Sequence, residues 1–257
     1  MILVQLSLFA RSLQRQVDVN VLLPQHFWED GKTPDPEKEY PTLYLLHGHG
    51  DNQNMWQRFT NIERYAGQKN MIVIMPSADR SWYTDTAYGD AYFTFITDEL
   101  PDLCRHLFYG VSRTRENTFV AGLSMGGYGA LKIGLTYPER YAGVAAFSAV
   151  TDIVGFVERM KANAGYWNAI FGGVEGLENS PHDLFYLAKK AKDEAKPLPR
   201  MYLWCGTEDS LLSHTERMRD CLLSLGYPLR HSLTQGNHSW PYWDEQSEKA
   251  ISYFTEQ

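Results

Sequence analysis

Apolar runs alternate with helical patterns along most of this chain. Six such runs lie at residues 42–46, 71–75, 118–123, 143–147, 201–205 and 229–233. Continuous apolar strands are typical of a parallel sheet that is covered by helices on both faces. The sequence therefore predicts an α/β fold with a mostly parallel central sheet.

The remaining segments complete one predicted domain over residues 1–257. Residues 3–10 and 16–23 have strand-like patterns, which bring the predicted sheet to about eight strands, and the polar residues 26–40 are predicted to form a loop. Helical patterns lie at residues 58–67, 91–107, 127–137, 213–225 and 240–254. Residues 151–199 interrupt the alternation, and we expect an insertion there that forms a lid or a substrate wall.

The sequence Gly122-Leu123-Ser124-Met125-Gly126 stands between an apolar run and a helical pattern. In this strand-turn-helix setting, G-x-S-x-G indicates a nucleophile elbow, because glycines allow the tight turn that exposes the serine hydroxyl. Ser124 is therefore the predicted nucleophile. The structural alternative is a glycine-rich turn that only packs a helix onto a sheet.

A serine nucleophile needs an imidazole base and a carboxylate that orients the imidazole, each on a loop that follows a strand. Asp209 follows the run at 201–205, and His238 follows the run at 229–233. Glu208 shares the loop of Asp209 and is the rival acid. His231 also lies downstream but falls inside a predicted strand, and His238 has the structural alternative of capping the last helix.

The oxyanion hole is expected to use backbone N–H groups from two places. One is the residue after the nucleophile, Met125. The other lies in the glycine-rich loop after residues 42–46, where His49 is the first choice and Gly50 the fallback. Aromatic residues near the predicted loops suggest a pocket, and Trp82 and Trp240 are the expected substrate contacts.

The loop His47-Gly48-His49-Gly50-Asp51 matches part of the H-x-H-x-D-H string of binuclear metallohydrolases. Asn52 stands where that string ends in histidine, so we predict neither a metal site nor a cofactor. His47 is interpreted as a buried imidazole that bonds to backbone beneath the oxyanion loop.

Composition excludes several classes of binding partner. The formal charge is −7 with no basic run, which argues against nucleic acid, and no apolar segment predicts a membrane span. The three cysteines form no metal or disulfide pattern, and the start of the chain lacks a basic region or a cleavage site, so a cytoplasmic location is expected. The exposed aromatics leave a homo-oligomer open.

Several linked motifs resemble the esterase D-like branch of the α/β-hydrolases, with bacterial tributyrin esterases the most similar. They are Leu45-Leu46-His47-Gly48, Trp82-Tyr83-Thr84-Asp85-Thr86, Asp98-Glu99-Leu100-Pro101 and the elbow segment Gly122 to Leu131. The resemblance implies the α/β-hydrolase fold and a carboxylesterase for short acyl chains, with Ser124, Asp209 and His238 as the triad.

S-formylglutathione hydrolases belong to the same branch but usually carry histidine at the positions of Leu123 and Tyr128 and cysteine in the oxyanion loop, where this chain has His49-Gly50. The expected substrate is therefore a small ester that is hydrolysed through an acyl-enzyme. An S-formylglutathione hydrolase-like thioesterase, an acyltransferase of the same fold and a non-catalytic binding protein are the alternatives.

Overall fold

The computed structural model describes residues 1–25 and 38–256, so most of the predicted loop at 26–40 lies outside the described residues. Within these residues, eight strands form one sheet in the order β1-β2-β4-β3-β5-β6-β7-β8. The strands are β1 Ile2–Ala10, β2 Arg15–Leu23, β3 Thr42–Leu46, β4 Ile72–Pro76, β5 Thr118–Leu123, β6 Gly143–Phe147, β7 Arg200–Gly206 and β8 Leu229–Thr234.

The sheet is parallel from β4 to β8, and only β1 and β2 run antiparallel at one edge. Buried strands such as β3, β4, β5 and β6 carry side chains that pack on both faces, which is why their sequences are continuously apolar. The predicted mostly parallel eight-stranded sheet of an α/β-hydrolase is confirmed.

Ten α-helices lie among the described residues. They are α1 Met55–Phe59, α2 Ile62–Gln68, α3 Tyr92–Thr94, α4 Leu100–Leu107, α5 Met125–Thr136, α6 Ile153–Arg159, α7 Ala164–Phe171, α8 Leu184–Asp193, α9 Leu212–Ser224 and α10 Trp240–Thr255. A π-helical turn, Phe95–Glu99, joins α3 to α4. None of the helices within residues 1–25 and 38–256 is long and apolar enough to cross a membrane.

The prediction of one helix at residues 58–67 is wrong, because the structure has two separate helices there, α1 and α2. Thr60 between them has extended backbone angles, and the N–H of Asn61 donates to Asp244 Oδ1 at 2.7 Å. A contact with α10, distant in sequence, therefore ends the first helix. The insertion at 151–199 contains α6, α7 and α8, which the sequence pattern did not indicate.

Candidate active site

Ser124 lies at the sharp turn between β5 and α5. Its backbone angles are φ 51° and ψ −116°, a conformation that L-residues rarely adopt and that often marks a functional turn. The N–H of Ser124 donates to the carbonyl oxygen of Phe147 at 2.8 Å, which ties the turn to β6. A Cβ on Gly126 would lie 2.4 Å from the carbonyl oxygen of Leu46, so only glycine permits this approach.

Asp209 and His238 lie on the loops that follow β7 and β8. His238 Nδ1 and Asp209 Oδ2 are 2.9 Å apart, and the N–H of Leu211 donates to Asp209 Oδ1 at the same distance of 2.9 Å. The two loops touch, because a Cβ on Gly206 would lie 2.2 Å from the carbonyl oxygen of Gly236. The parallel strands thus bring together two side chains that are 29 positions apart.

The carboxylate of Asp209 is buried, and other donors hold it in addition to His238. Burial opposes its ionisation, but hydrogen bonds from His238, from the Leu211 N–H and from the Ser148 hydroxyl keep the pKa of Asp209 below its usual value. Ser148 Oγ in turn accepts from Trp243 Nε1 at 3.1 Å, and the Trp243 ring packs edge-on against His238. Asp209 is therefore built to remain a carboxylate beside an imidazole.

Glu208, the rival acid, is exposed, and its backbone N–H donates to the carbonyl oxygen of Gly236 at 2.8 Å. His231, the other downstream histidine, is exposed within β8. Of these two acids and two histidines, the structure pairs only Asp209 with His238.

A cavity of about 540 Å³ opens beside these groups. Ser124 and His238 both line it, so the hydroxyl and the imidazole face a common space that can hold a small molecule. The other lining residues come from loops at the strand ends and from the insertion; they are His49, Arg80, Trp82, Val150, Phe156, Met160, Asn163, Tyr166, Trp167, Ser210 and Leu211.

The loop after β3 lies against the elbow. His47 is fully buried, with Nδ1 2.8 Å from the carbonyl oxygen of Gly48, and its Nε2 accepts from the N–H of Ala78 at 2.9 Å. Burial lowers the pKa of His47 to about 4, so this imidazole is neutral and structural, as the sequence interpretation had it. The Tyr83 hydroxyl donates to the carbonyl oxygen of His47 and holds the loop from below.

The predicted oxyanion donors differ in burial and in the element that carries them. Met125 is the first residue of α5 and is buried, so its N–H is one of the helix N–H groups that have no partner within the helix. His49 is exposed at the cavity, and the fallback Gly50 has φ +85°. No group of three or more metal-ligating side chains occurs in the described parts of the chain.

The two predicted substrate contacts, Trp82 and Trp240, lie in different places. Trp82 lines the cavity, and its Nε1 donates to the Tyr166 hydroxyl at 2.9 Å. Trp240 is not among the described residues that line the cavity; it packs instead against Trp56, Phe59 and Trp243 on the other side of the sheet rim. Its position in the first turn of α10 directs the ring into helix packing.

Sequence reasoning missed Ser148, Arg80 and Tyr166. Ser148 could have been found, because it directly follows β6 and the carboxyl ends of parallel strands meet at one rim. Arg80 lies in the loop after β4, which ends at Pro76. Tyr166 lies within the insertion, and no local pattern indicates that its hydroxyl reaches the carbonyl oxygen of Arg80 at 2.7 Å.

Known proteins resemble this chain over nearly its whole length. An acetyl esterase of Caldicellulosiruptor saccharolyticus is 29% identical over 263 residues, which cover 99% of this chain and 98% of that protein. FphF, a fluorophosphonate-binding serine hydrolase of Staphylococcus aureus, superposes with a TM-score of 0.90 at 31% identity, covering 100% of this chain and 99% of that one.

The S-formylglutathione hydrolase FrmB of Staphylococcus aureus superposes with a TM-score of 0.88 at 31% identity and covers 99% of both chains. The "Putative esterase" family matches residues 10–250. The chain therefore belongs to this esterase family and is an esterase D-like α/β-hydrolase enzyme.

Proposed function

We propose that this protein is a serine carboxylesterase in which Ser124 is the nucleophile, His238 the general base and Asp209 the residue that orients His238. The observation that carries the proposal is the 2.9 Å hydrogen bond between Asp209 and His238 at a cavity that Ser124 also lines. The bond engages Nδ1 and leaves Nε2 of His238 to accept the serine proton.

The reaction would proceed in two halves. His238 Nε2 takes the proton of Ser124 as Oγ attacks the ester carbonyl, and the resulting oxyanion accepts hydrogen bonds from the N–H groups of Met125 and of His49, or of Gly50 in its place. His238 then protonates the leaving alcohol. In the second half it takes a proton from water, the hydroxide attacks the acyl-enzyme, and the proton returns to Ser124 as the acid leaves.

The cavity supports a short acyl chain. Its volume of about 540 Å³ lies in the range of small-molecule sites. Phe156, Tyr166 and Trp167 line it from one side, so the insertion at 151–199 would act as a substrate wall within a single domain, with Trp82 beside it. The relative described as an acetyl esterase favours the same substrate class.

A thioesterase like FrmB is the second candidate, because that S-formylglutathione hydrolase matches this chain at 31% identity over its whole length. The same acyl-enzyme would serve both reactions, since only the leaving group changes from an alcohol to a thiol. A cytoplasmic location belongs to the proposal as well, and Cys104, Cys205 and Cys221, which are free thiols, favour a reducing compartment.

The test compares the hydrolysis of 4-nitrophenyl acetate, butyrate and octanoate and of S-formylglutathione by wild type, Ser124→Ala and Ser210→Ala. Ser210 lines the same cavity and controls for the loss of a hydroxyl there. We expect Ser124→Ala to reduce kcat about 10⁴-fold or more with unchanged folding, while Ser210→Ala remains active.

A fluorophosphonate probe should label wild type and Ser210→Ala but not Ser124→Ala. Near wild-type turnover by Ser124→Ala would overturn the nucleophile assignment. Faster cleavage of S-formylglutathione than of every oxygen ester would place the second candidate first, and acyl transfer to an added alcohol in preference to water would indicate an acyltransferase.

A further inference from the structure

The part of the cavity lining that the structure describes carries one permanent positive charge. Among the described residues that line it, Arg80 is the only arginine or lysine, and no aspartate or glutamate faces the space. Asp209 lies behind His238, where it is buried and hydrogen-bonded. The whole chain has a formal charge of −7, so a cationic cavity does not follow from its composition.

Contacts with the insertion hold Arg80 at the cavity. The Tyr166 hydroxyl donates to the carbonyl oxygen of Arg80 at 2.7 Å, and the guanidinium lies over the Tyr166 ring, 5.3 Å from its centroid. Stacking on an aromatic face restricts a guanidinium while leaving its edge N–H groups free for a ligand. The position of this cation is therefore set by tertiary contacts.

The Arg80 guanidinium forms no ion pair with a carboxylate of the described residues. Within residues 1–25 and 38–256, no acidic oxygen lies within 4.0 Å of its guanidinium nitrogens. The adjacent Asp79 is engaged elsewhere, since it pairs with Arg15 and accepts a hydrogen bond from the Tyr92 hydroxyl at 2.7 Å. The guanidinium is thus available to an anion in the cavity.

The neighbouring His49 adds no second charge near neutral pH. Although His49 is exposed at the cavity, partial desolvation and the positive charge of Arg80 both lower its pKa. Its Nε2 lies 3.3 Å from the Tyr166 hydroxyl, whose own proton is directed to the carbonyl oxygen of Arg80. Arg80 therefore carries the permanent charge that the described cavity lining presents to a substrate beside Ser124.

We propose that Arg80 selects substrates that carry a carboxylate, so that anionic esters or thioesters are cleaved in preference to neutral ones of the same size. A carboxylate matches the paired N–H groups of a guanidinium, and it can belong to the acyl part or to the leaving group of the substrate. This inference rests on the proposed function, because it assumes acyl transfer at Ser124.

The test uses isosteric pairs that differ only in charge. For the leaving group, 4-acetoxybenzoate is compared with 4-acetoxybenzamide; for the acyl part, the 4-nitrophenyl half-ester of adipate is compared with its terminal amide. Wild type, Arg80→Gln, Arg80→Lys and Arg58→Gln are assayed. Arg58 lies on α1 outside the cavity and controls for a general change of surface charge.

In at least one pair, wild type should prefer the carboxylate, and Arg80→Gln should lower kcat/KM for that ester by about tenfold to a hundredfold while changing the neutral partner less than about twofold. Arg80→Lys should retain part of the preference, and added salt should reduce it. The pair that responds identifies which part of the substrate carries the carboxylate.

An equal loss on charged and neutral esters, or no charge preference in either pair, would overturn the role of Arg80 while leaving the esterase assignment intact. The failure of the proposed function looks different. In that case wild type would cleave none of these esters by a route that Ser124→Ala abolishes, and both proposals would fall.

Discussion

Two polar clusters, each with one buried ionisable side chain, lie beside the loops around the cavity, and the two buried groups differ in whether they keep their charge. The acid–base cluster consists of Asp209, His238, Ser148 and Trp243. Its carboxylate receives several hydrogen bonds, and its pKa is lowered, so the charge is retained despite burial. Hydrogen-bond donors around a buried carboxylate stabilise its charged form, so it can orient and stabilise a neighbouring imidazole.

The lysine cluster consists of Lys132, Thr84 and His182. Lys132 Nζ on α5 donates to Thr84 Oγ1 at 2.6 Å and lies 3.3 Å from His182 Nδ1, with the Phe93 ring beneath it. Burial lowers the pKa of Lys132 to about 7, and only the exposed Asp85 acts in the other direction. Burial and Lys132 lower the pKa of His182 to about 3.

The difference shows that the number of compensating partners, and not burial alone, decides whether a charge persists inside the protein. Asp209 has three kinds of donor, whereas Lys132 has a hydroxyl and a neutral imidazole. The first cluster is suited to orienting His238. The second joins α5 to the loop that carries Trp82, two residues before Thr84, and so supports the cavity wall.

Among variants of these two clusters, Asp209→Asn should lose the most activity. The asparagine keeps the shape of the side chain but removes the charge and permits the wrong tautomer of His238, so kcat should fall by about 10³–10⁴-fold with little change in folding. Glu208→Gln, the matched control one position earlier, should remain active. A larger loss in Glu208→Gln than in Asp209→Asn would reverse the assignment of the acid.

A smaller effect, on stability, is expected from Lys132→Met. Between about pH 7 and 10.5 the unfolded chain keeps a proton on Lys132 that the folded protein has released, so the free energy of unfolding of wild type should rise with pH there, by at most ~1.4 kcal/mol per pH unit. The methionine variant lacks this titration. Below pH 7 its free energy of unfolding should exceed that of wild type, because the buried charge is gone.

Denaturant unfolding between pH 6 and 10 measures this difference. Lys190→Met is the control, since Lys190 is half-exposed on α8 and lies 3.9 Å from Glu194. Its stability curve should run parallel to that of wild type. If the curve of Lys132→Met also runs parallel to wild type, the lysine is charged in the folded protein and the contrast between the clusters is lost.

The smallest effect is expected from Ser148→Ala, which removes one donor from Asp209 and leaves Trp243 Nε1 without its acceptor. We expect kcat/KM to fall about tenfold, in line with one hydrogen bond to a charged group. The pKa of Asp209 should move up toward its ordinary value, so stability should be lost at a higher pH during acidification than in wild type.

Acid unfolding followed by circular dichroism, together with ester hydrolysis, checks this prediction, with Ser210→Ala as the control. A variant that loses activity but keeps the acid midpoint of wild type would show that Ser148 acts on the cavity and not through Asp209.

Local sequence patterns predicted the elements that local physics controls. Strand runs, the elbow at Ser124 and the positions of Asp209 and His238 after their strands follow from hydrophobic periodicity, glycine placement and the rule that parallel strands end at one rim. The pairing of Asp209 rather than Glu208 with His238 needed the structure, because both acids share one short loop.

The structure departs from the local pattern where a distant contact overrides it. The helix expected at residues 58–67 is divided because Asn61 binds Asp244 of α10. Trp240 lies close to His238 in the sequence but packs into an aromatic cluster with Trp56. In both cases the contact joins segments that are far apart in the sequence, so neighbouring positions along the chain do not predict it.

Hydrophobic periodicity, glycine placement and residue order were thus enough to predict the class of fold, the strand-turn-helix at Ser124 and the candidate acid and base, because all of them can be read along the linear sequence. The folded structure was needed to show which of the described side chains line the cavity, how Ser148 supports Asp209, and that Arg80 is the one arginine or lysine among those lining residues. Those properties depend on burial and on contacts between segments far apart in the chain, which no local pattern encodes.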